Sequence, residues 1–267
     1  GVSMMKQRGV PMNLVSVIGV EVVGAGLLGA FLLSDRTPVI VALLALMGAI
    51  FAALQLRPQL EERIVAAFHD QRRAATILGI VIVLVYPFLM GGSTYALHLL
   101  IVAQLYSVLA LALNFQLGSA NIPNFATGAS YGIGAYTSAL LAIDFGISFW
   151  LALPIAAVVA TIFGFMLGFP SMRTKESYLA LVTIAFGIVV QQLLNNLSWT
   201  GGPNGLVGIP APMFFGHSFT SPIRLFGFSL PGQANFYYLS AALVGLAILS
   251  AKRLHDKGLT SQPDGGY

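Results

Sequence analysis

The polar side chains best placed to contact a solute lie near the end of one apolar segment. Gln191 and Gln192 precede Asn195 and Asn196 by four residues, so on a helix each glutamine stacks on an asparagine of the same face. Carboxamides inside a membrane segment either bind a polar solute or bond neighbouring helices. The spacing therefore leaves two interpretations open, a polar pathway and a structural contact.

Glu21 is the only acidic residue well inside an apolar segment. A carboxyl group in hydrocarbon is costly, so it should face protein or take part in function. We treat Glu21 as a candidate proton site, with a structural role as the alternative.

No motif for catalysis is found. The sequence has no HExxH, no GxSxG and no GxxxxGK[ST] phosphate loop, and it has no cysteine for thiolate chemistry. His69, His98, His217 and His255 are scattered without metal-ligand spacing. We therefore predict no enzyme, and no cofactor or metal in this chain.

The composition indicates a membrane protein. Hydrophobic residues make up 57% of the 267-residue chain and charged residues only 8%, with a mean hydropathy of +0.85. The apolar runs are continuous rather than alternating, which favours an all-α, polytopic transmembrane helical bundle over a barrel. About eight runs approach the length of a span: 13–33, 38–56, 74–90, 97–116, 128–143, 149–168, 178–197 and 234–251.

The basic residues predict the orientation. With both termini inside, eleven of the 13 Lys and Arg residues fall on the cytoplasmic side, and only Arg36 and Arg224 fall outside. The basic charge is therefore a topology signal, and no nucleic-acid binding is expected. The segment 198–210, with four glycines and two prolines, is then an external loop that forms neither helix nor strand.

Segment 57–73 divides the chain. It alternates in charge and carries Leu60, Ile64, Ala67 and Phe68 at helical spacing, so it is either an amphipathic surface helix or a solvated loop. We predict an N-terminal membrane unit, 1–96, a second membrane unit that forms the core, 97–251, and a polar cytoplasmic tail, 252–267.

The stretch 113–141 breaks in the middle with no charge. Its uncharged Gly, Asn and Pro residues predict a broken or re-entrant helix near 117–128, with a tight turn as the alternative. Asn114, Asn121 and Asn124 are candidates for a polar pathway there. Small residues at four-residue spacing predict close helix packing; they are Ala25 and Gly29, Gly128 and Gly132, and Gly164 and Gly168.

Three runs resemble a known family. NFATGASYGIGAY (124–136), MRTKESYLALVTIAFG (172–187) and TGGPNGLVGIP (200–210) are similar to the permease subunits of branched-chain amino-acid ABC importers, the LivH and LivM type. The later two runs are closest to LivM, whereas N-F-A-x-G is LivH-like. The resemblance covers roughly residues 97–251.

This resemblance implies where the chain is located and which proteins it assembles with. They are a second permease subunit, two cytoplasmic ATPase subunits that carry ATP and Mg, and an extracytoplasmic substrate-binding protein. The expected location is the cytoplasmic (inner) membrane of a bacterium or archaeon, as a multi-pass protein in the lipid bilayer.

The resemblance implies hydrophobic amino acids as substrates, with urea or short amides as near rivals. The pathway residues would be Asn114, Asn121, Asn124, Gln191 and Asn195, with Gln104 also available. The external loop would shape the entrance or dock the binding protein through Trp199, Gly201, Gly202, Asn204 and Gly205.

Two other classes stay open. One is an ATP-independent secondary transporter that uses Glu21. The other is a truncated, non-transporting membrane subunit, because family members continue beyond the equivalent of Arg253 with a segment that contacts the ATPase, whereas this chain ends in a short polar tail.

Overall fold

The structure is a computed structural model that describes residues 14–120, 124–171, 176–225 and 228–256. These ranges contain nine α-helices and four short strands. The helices are α1 (Leu14–Leu33), α2 (Thr37–Leu56), α3 (Pro58–Asp70), α4 (Arg72–Leu89), α5 (Thr94–Ala120), α6 (Thr127–Asp144), α7 (Phe149–Ser171), α8 (Glu176–Asn196) and α9 (Gln233–Asp256). The strands are β1 (Met213–Phe214), β2 (His217–Ser218), β3 (Ile223–Leu225) and β4 (Phe228–Leu230).

Seven of these helices are long and apolar enough to cross a membrane: α1, α2, α4, α5, α7, α8 and α9. The all-α transmembrane bundle is therefore confirmed. The eighth predicted span, 128–143, also forms a helix, α6, but its glycine, serine, threonine and tyrosine residues keep it out of this group. Helix α6 instead packs against other protein helices. The orientation with both termini inside remains a prediction.

The predicted break near 117–128 is shorter than the sequence indicated. Helix α5 continues to Ala120 and α6 begins at Thr127. Of the connection between them, residues 121–123 lie outside the described residues. At the other end of the core, the span predicted to end at 251 continues as helix to Asp256. The predicted polar tail, 252–267, remains a prediction.

Packing divides the described chain into two units. The first holds the residues up to Leu100 and Arg224–Ala234. In it, the predicted amphipathic segment is a helix, α3, whose start is favoured by Pro58 at its first position. Ala67 of α3 is buried with Val17 of α1 and Ala75 of α4. The apolar face of α3 thus packs against neighbouring helices.

Helices α1 and α4 meet along the predicted pair of small residues. The Tyr86 hydroxyl donates a hydrogen bond to the Ala25 carbonyl oxygen over 3.0 Å. A Cβ atom on Gly29 would lie 3.2 Å from Met90 Cε, which is tight contact. Small residues at 25 and 29 therefore let α4 approach the α1 backbone.

The second unit holds Ile101–Ile223 and the residues from Asn235 onward. Helix α6 packs most extensively against α7 and also against α8. A Cβ on Gly134 would lie 3.7 Å from Ala160 Cβ, and a Cβ on Gly132 would lie 3.3 Å from Leu194 Cδ1. The glycines of α6 therefore face both neighbouring helices.

The segment between α8 and α9 is more ordered than expected. Residues Ser198–Thr200 and Gly202–Asn204 each form one short 3-10 helix. The expectation that segment 198–210 contains no helix is therefore wrong for these six residues. Strand β1 pairs antiparallel with β2, and β3 pairs with β4. These two-stranded ribbons are small additions to the all-α bundle.

Candidate solute cleft

A cleft of about 480 Å³ lies between α6 and α8. We call it the α6–α8 cleft. Gly128 and Gly132 of α6 and Gly187 of α8 leave room along its walls because they carry no side chains. Its lining consists of Phe125, Gly128, Ala129, Gly132, Tyr136, Ile184, Gly187, Ile188, Gln191, Leu194 and Asn195. None of these residues carries a formal charge.

The structure separates the two amide pairs predicted on α8. Gln191 and Asn195 line the cleft, and both side chains are exposed. On the neighbouring face, Asn196 Nδ2 donates to the Gln192 carbonyl oxygen at 2.7 Å and lies 3.4 Å from Gln192 Oε1. One pair is therefore free to contact a solute in the cleft, whereas the other bonds within the helix.

The start of α6 is fixed against α8 at one side of the cleft. The Phe125 backbone N–H donates to Thr183 Oγ1 over 3.1 Å, and Thr183 is buried. Asn124 Oδ1 accepts from the Ala126 N–H at 2.9 Å, and the Asn124 carbonyl oxygen accepts from the Thr127 hydroxyl. Asn124 thus shapes the turn into α6, and it is not among the residues that line the cleft.

The other predicted pathway residues lie elsewhere. Asn114 is exposed on α5 and does not line the cleft, and Asn121 lies outside the described residues. Gln104 of α5 accepts a hydrogen bond from the buried Ser240 hydroxyl of α9, which gives Gln104 a structural contact. Gln116, which the sequence analysis missed, has a buried Oε1 without a hydrogen-bond partner in the described part of the chain.

Thr200 is the residue of the 198–210 loop that sequence reasoning missed. It is fully buried, and its hydroxyl oxygen lies 2.7 Å from the Leu194 carbonyl oxygen and 2.8 Å from that of Leu197. The Gly202 N–H donates to the same Leu197 oxygen at 3.2 Å. These bonds satisfy carbonyl groups that the end of α8 leaves free. The sequence signal for Thr200 was its position directly before a Gly-Gly pair and four residues after Asn196, the last amide residue of α8.

The glycines of this loop are required by its backbone. Gly201 has φ +78°, and a Cβ there would lie 2.1 Å from the Gly205 carbonyl oxygen. Gly205 itself has φ +68° and ψ −177°, a region that essentially only glycine occupies. Gly202 also has a positive φ, while Trp199 and Asn204 are exposed on the loop. The predicted loop residues are therefore together, and the glycines define the loop shape.

Glu21 belongs to the first unit and is not among the residues that line the cleft. Its Oε2 atom is buried on α1 and has no hydrogen-bond partner among the described residues. Of the four histidines, His69, His98 and His217 are exposed on α3, α5 and β2, and the side chain of His255 lies outside the described part.

Part of the chain, including the cleft and the loop after α8, matches a known protein family. Residues 95–253 match the family model described as the branched-chain amino acid transport system permease component. Two curated relatives are high-affinity branched-chain amino acid transport system permease proteins LivM. That of Escherichia coli strain K12 is 42% identical over 146 residues, which are 54% of this chain and 34% of that protein. That of Salmonella typhimurium strain LT2 is 41% identical over the same shares.

The chain spans about a third of the length of the curated relatives it matches. No solved structure matches it. The family match includes the whole α6–α8 cleft and the loop that follows α8, and it extends over more than half of the chain. The protein therefore belongs to the family of permease components of branched-chain amino acid transport systems.

Proposed function

We propose that this chain is a permease subunit of an ATP-driven importer of branched-chain amino acids, with the α6–α8 cleft as part of the solute path. The observation that carries the proposal is the placement of Gln191 and Asn195 at an uncharged cleft whose other lining side chains are apolar except for the Tyr136 hydroxyl. Its volume falls in the range of roughly 300–1,000 Å³ that small-molecule sites occupy.

The lining suits an aliphatic zwitterion. Each carboxamide has two N–H donors for a carboxylate and an oxygen acceptor for an ammonium group. Ile184, Ile188 and Leu194 supply apolar surface for an aliphatic side chain. Because the cleft has no fixed charge, binding can stay weak enough for the solute to leave. Urea or a short amide would fit the same carboxamides, but it would leave this apolar surface unused.

The remaining machinery is proposed to lie in other chains. A second permease subunit would complete the path, and two cytoplasmic ATPase subunits would hold ATP and Mg. An extracytoplasmic binding protein would deliver the substrate, and the loop of Trp199, Gly201, Gly202, Asn204 and Gly205 would shape the entrance or dock it. The membrane would be the cytoplasmic membrane of a bacterium or archaeon. The names of the relatives, which are permease proteins of transport systems, support this arrangement.

The test is uptake of labelled leucine by the complete transporter in cells. The double variant Gln191→Ala, Asn195→Ala should lower uptake by about tenfold or more, because it removes two hydrogen bonds to charged solute groups. The matched control, Gln192→Ala, Asn196→Ala, removes the amide pair that bonds within α8 and should retain uptake. Equal uptake by both variants would reject the cleft as the path. Uptake of labelled urea instead of leucine would favour the urea importer.

A further inference from the structure

The six residues Met213–Ser218 form a ribbon with an aromatic tip. Strand pairing matches Met213 with Ser218 and Phe214 with His217, so Phe215 and Gly216 make a two-residue turn. Their φ values are +48° and +81°. Positive φ at both positions is the pattern of a type I′ turn, which joins two-residue hairpins. We call these residues the 213–218 ribbon.

Phe215 is not the residue that this turn favours. Asn, Asp or Gly normally occupies the first central position of a type I′ turn, and a bulky residue with positive φ is uncommon. Phe215 is 90% exposed, and its ring contacts that of Phe214 edge-on with centroids 4.6 Å apart. Neither backbone geometry nor burial explains the phenylalanine. A local conflict of this kind is expected where function selects the side chain.

The ribbon is fixed at the level where α7 begins. Trp150, in the first turn of α7, donates its indole N–H to the Met213 carbonyl oxygen at 2.7 Å. Its ring lies against Phe214, with centroids 5.4 Å apart, and against Phe219 at 6.1 Å. Since α7 is a membrane-spanning helix, the ribbon lies near the end of that span.

The start of α9 holds the other end of the same segment. Asn235, in the first turn of α9, donates to the carbonyl oxygens of Phe219 and Ser221, each over 3.0 Å. Phe219 also packs edge-on against Phe236. Two apolar spans therefore begin beside the ribbon. Tryptophan and other aromatic residues concentrate at this depth, where membrane and water meet.

The surface around the tip is mainly apolar, although it includes the exposed side chain of His217. Residues 198–223 contain no Asp, Glu, Lys or Arg. Met213 is 66% exposed, and Val207, Ile209 and Phe214 are also largely exposed. Exposed apolar surface of this kind marks contact with a membrane or a protein. The lack of charge complementarity and the position at two span ends favour lipid.

We propose that the 213–218 ribbon inserts its Phe215 tip into the headgroup and acyl-chain boundary of the leaflet where α7 and α9 begin. The ribbon then anchors the segment between α8 and α9 to the bilayer surface. This anchor is independent of the substrate and of the other subunits. The rigid ring supplies apolar area, and the turn aims it away from the protein.

The absence of cysteine makes a site-specific test direct. The full chain, reconstituted in phosphatidylcholine nanodiscs, would carry one nitroxide label at Met213→Cys, which leaves the Phe215 ring in place. Collisions with a water-soluble nickel complex and with oxygen, which concentrates in hydrocarbon, report the surroundings of each label. Asn204→Cys, on the exposed loop, is the water reference, and Val158→Cys, exposed in the middle of α7, is the lipid reference.

Insertion predicts several-fold lower nickel accessibility at 213 than at 204, with oxygen accessibility nearer that of 158. Values equal to those at 204 would overturn the proposal. Low accessibility to both reagents would also overturn it, because it would show that protein covers the tip.

The variant Phe215→Asn separates insertion from folding. Asparagine tolerates positive φ, so the ribbon should stay folded while the aromatic anchor is lost. The nickel accessibility of a label at Met213 should then rise towards the value at 204, with the melting temperature unchanged or higher. An unchanged label at 213 would show that Phe215 does not hold the ribbon in lipid.

Discussion

The hydroxyl oxygen of Thr200 lies 2.7 Å from the carbonyl oxygen of Leu194, six residues earlier in the chain. Leu194 lines the α6–α8 cleft and packs over Gly132 of α6. The 198–210 loop is therefore bonded to the same turn of α8 that positions Asn195. A change in the loop reaches the cleft through this contact.

The first prediction removes the Thr200 hydroxyl while keeping its shape. Thr200→Val leaves the Leu194 and Leu197 carbonyl oxygens without this donor inside a buried site, which costs about 1–3 kcal/mol of stability. Thr200→Ser keeps the hydroxyl and should cost less. Thermal unfolding of both variants in detergent provides the measurement. If valine melts at the same temperature as the original threonine, the bond does not hold the loop.

The second prediction separates steric clash from backbone strain at Gly201. Gly208 has almost the same φ, +77° against +78°, but a Cβ there meets nothing within 4 Å. Gly208→Ala should therefore cost only the left-handed strain, about 1–2 kcal/mol. Gly201→Ala adds overpacking against Gly205, for a total of about 2–5 kcal/mol.

The two alanine variants are compared by thermal unfolding in the same detergent. Gly201→Ala should melt clearly below Gly208→Ala. Equal melting temperatures would mean that the loop moves to accept a Cβ at 201, and the fixed loop shape would then be wrong.

The sequence was sufficient for the spans because hydropathy is a local property. Continuous apolar runs predicted every long helix, and the four-residue spacing on α8 correctly stacked the amides. Helix α6 also formed where a span was predicted, although its small and polar residues are unlike those of the other spans. The role of α6 depends on how it packs against α7 and against α8, which only the tertiary structure shows.

Contacts distant in the chain were beyond local reasoning. The Thr-Gly-Gly sequence marks Thr200 as a loop residue, but the burial of its hydroxyl depends on carbonyl oxygens at the end of α8. Likewise, the residues around Asn124 do not show that its amide forms the turn into α6. The pairing of Gln104 with Ser240 joins residues 136 positions apart. Sequence alone therefore identified some polar residues of the core, but it missed Gln116 and Thr200 and did not separate the residues that line the cleft from those that hold helices.

The third prediction concerns the buried Oε2 atom of Glu21, which has no hydrogen-bond partner among the described residues. A buried polar atom without a partner costs about 1–3 kcal/mol, so Glu21→Met should raise the melting temperature, whereas Glu21→Gln should not. An ATP-driven importer needs no proton site there, so leucine uptake should be retained in both variants. Loss of uptake in Glu21→Met, with normal assembly, would instead support the proton-coupled transporter.

The last prediction fills the cleft without disturbing the helix contacts. A Cβ on Gly128 meets nothing within 4 Å, and the residue lines the α6–α8 cleft. Gly128→Leu should therefore place its side chain in the space that the solute uses, while the better helix propensity of leucine stabilises α6 by up to about 1 kcal/mol.

We expect leucine uptake to fall by about tenfold or more, because the solute would overpack against the new side chain at a cost of about 1–3 kcal/mol. The melting temperature of the variant should be unchanged or higher. Gly245→Leu on α9 is the matched control, because its Cβ position is also open and it does not line the cleft. That variant should keep its uptake. If Gly128→Leu transports normally while it remains folded, the solute does not pass through this cleft, whatever the amide variants show.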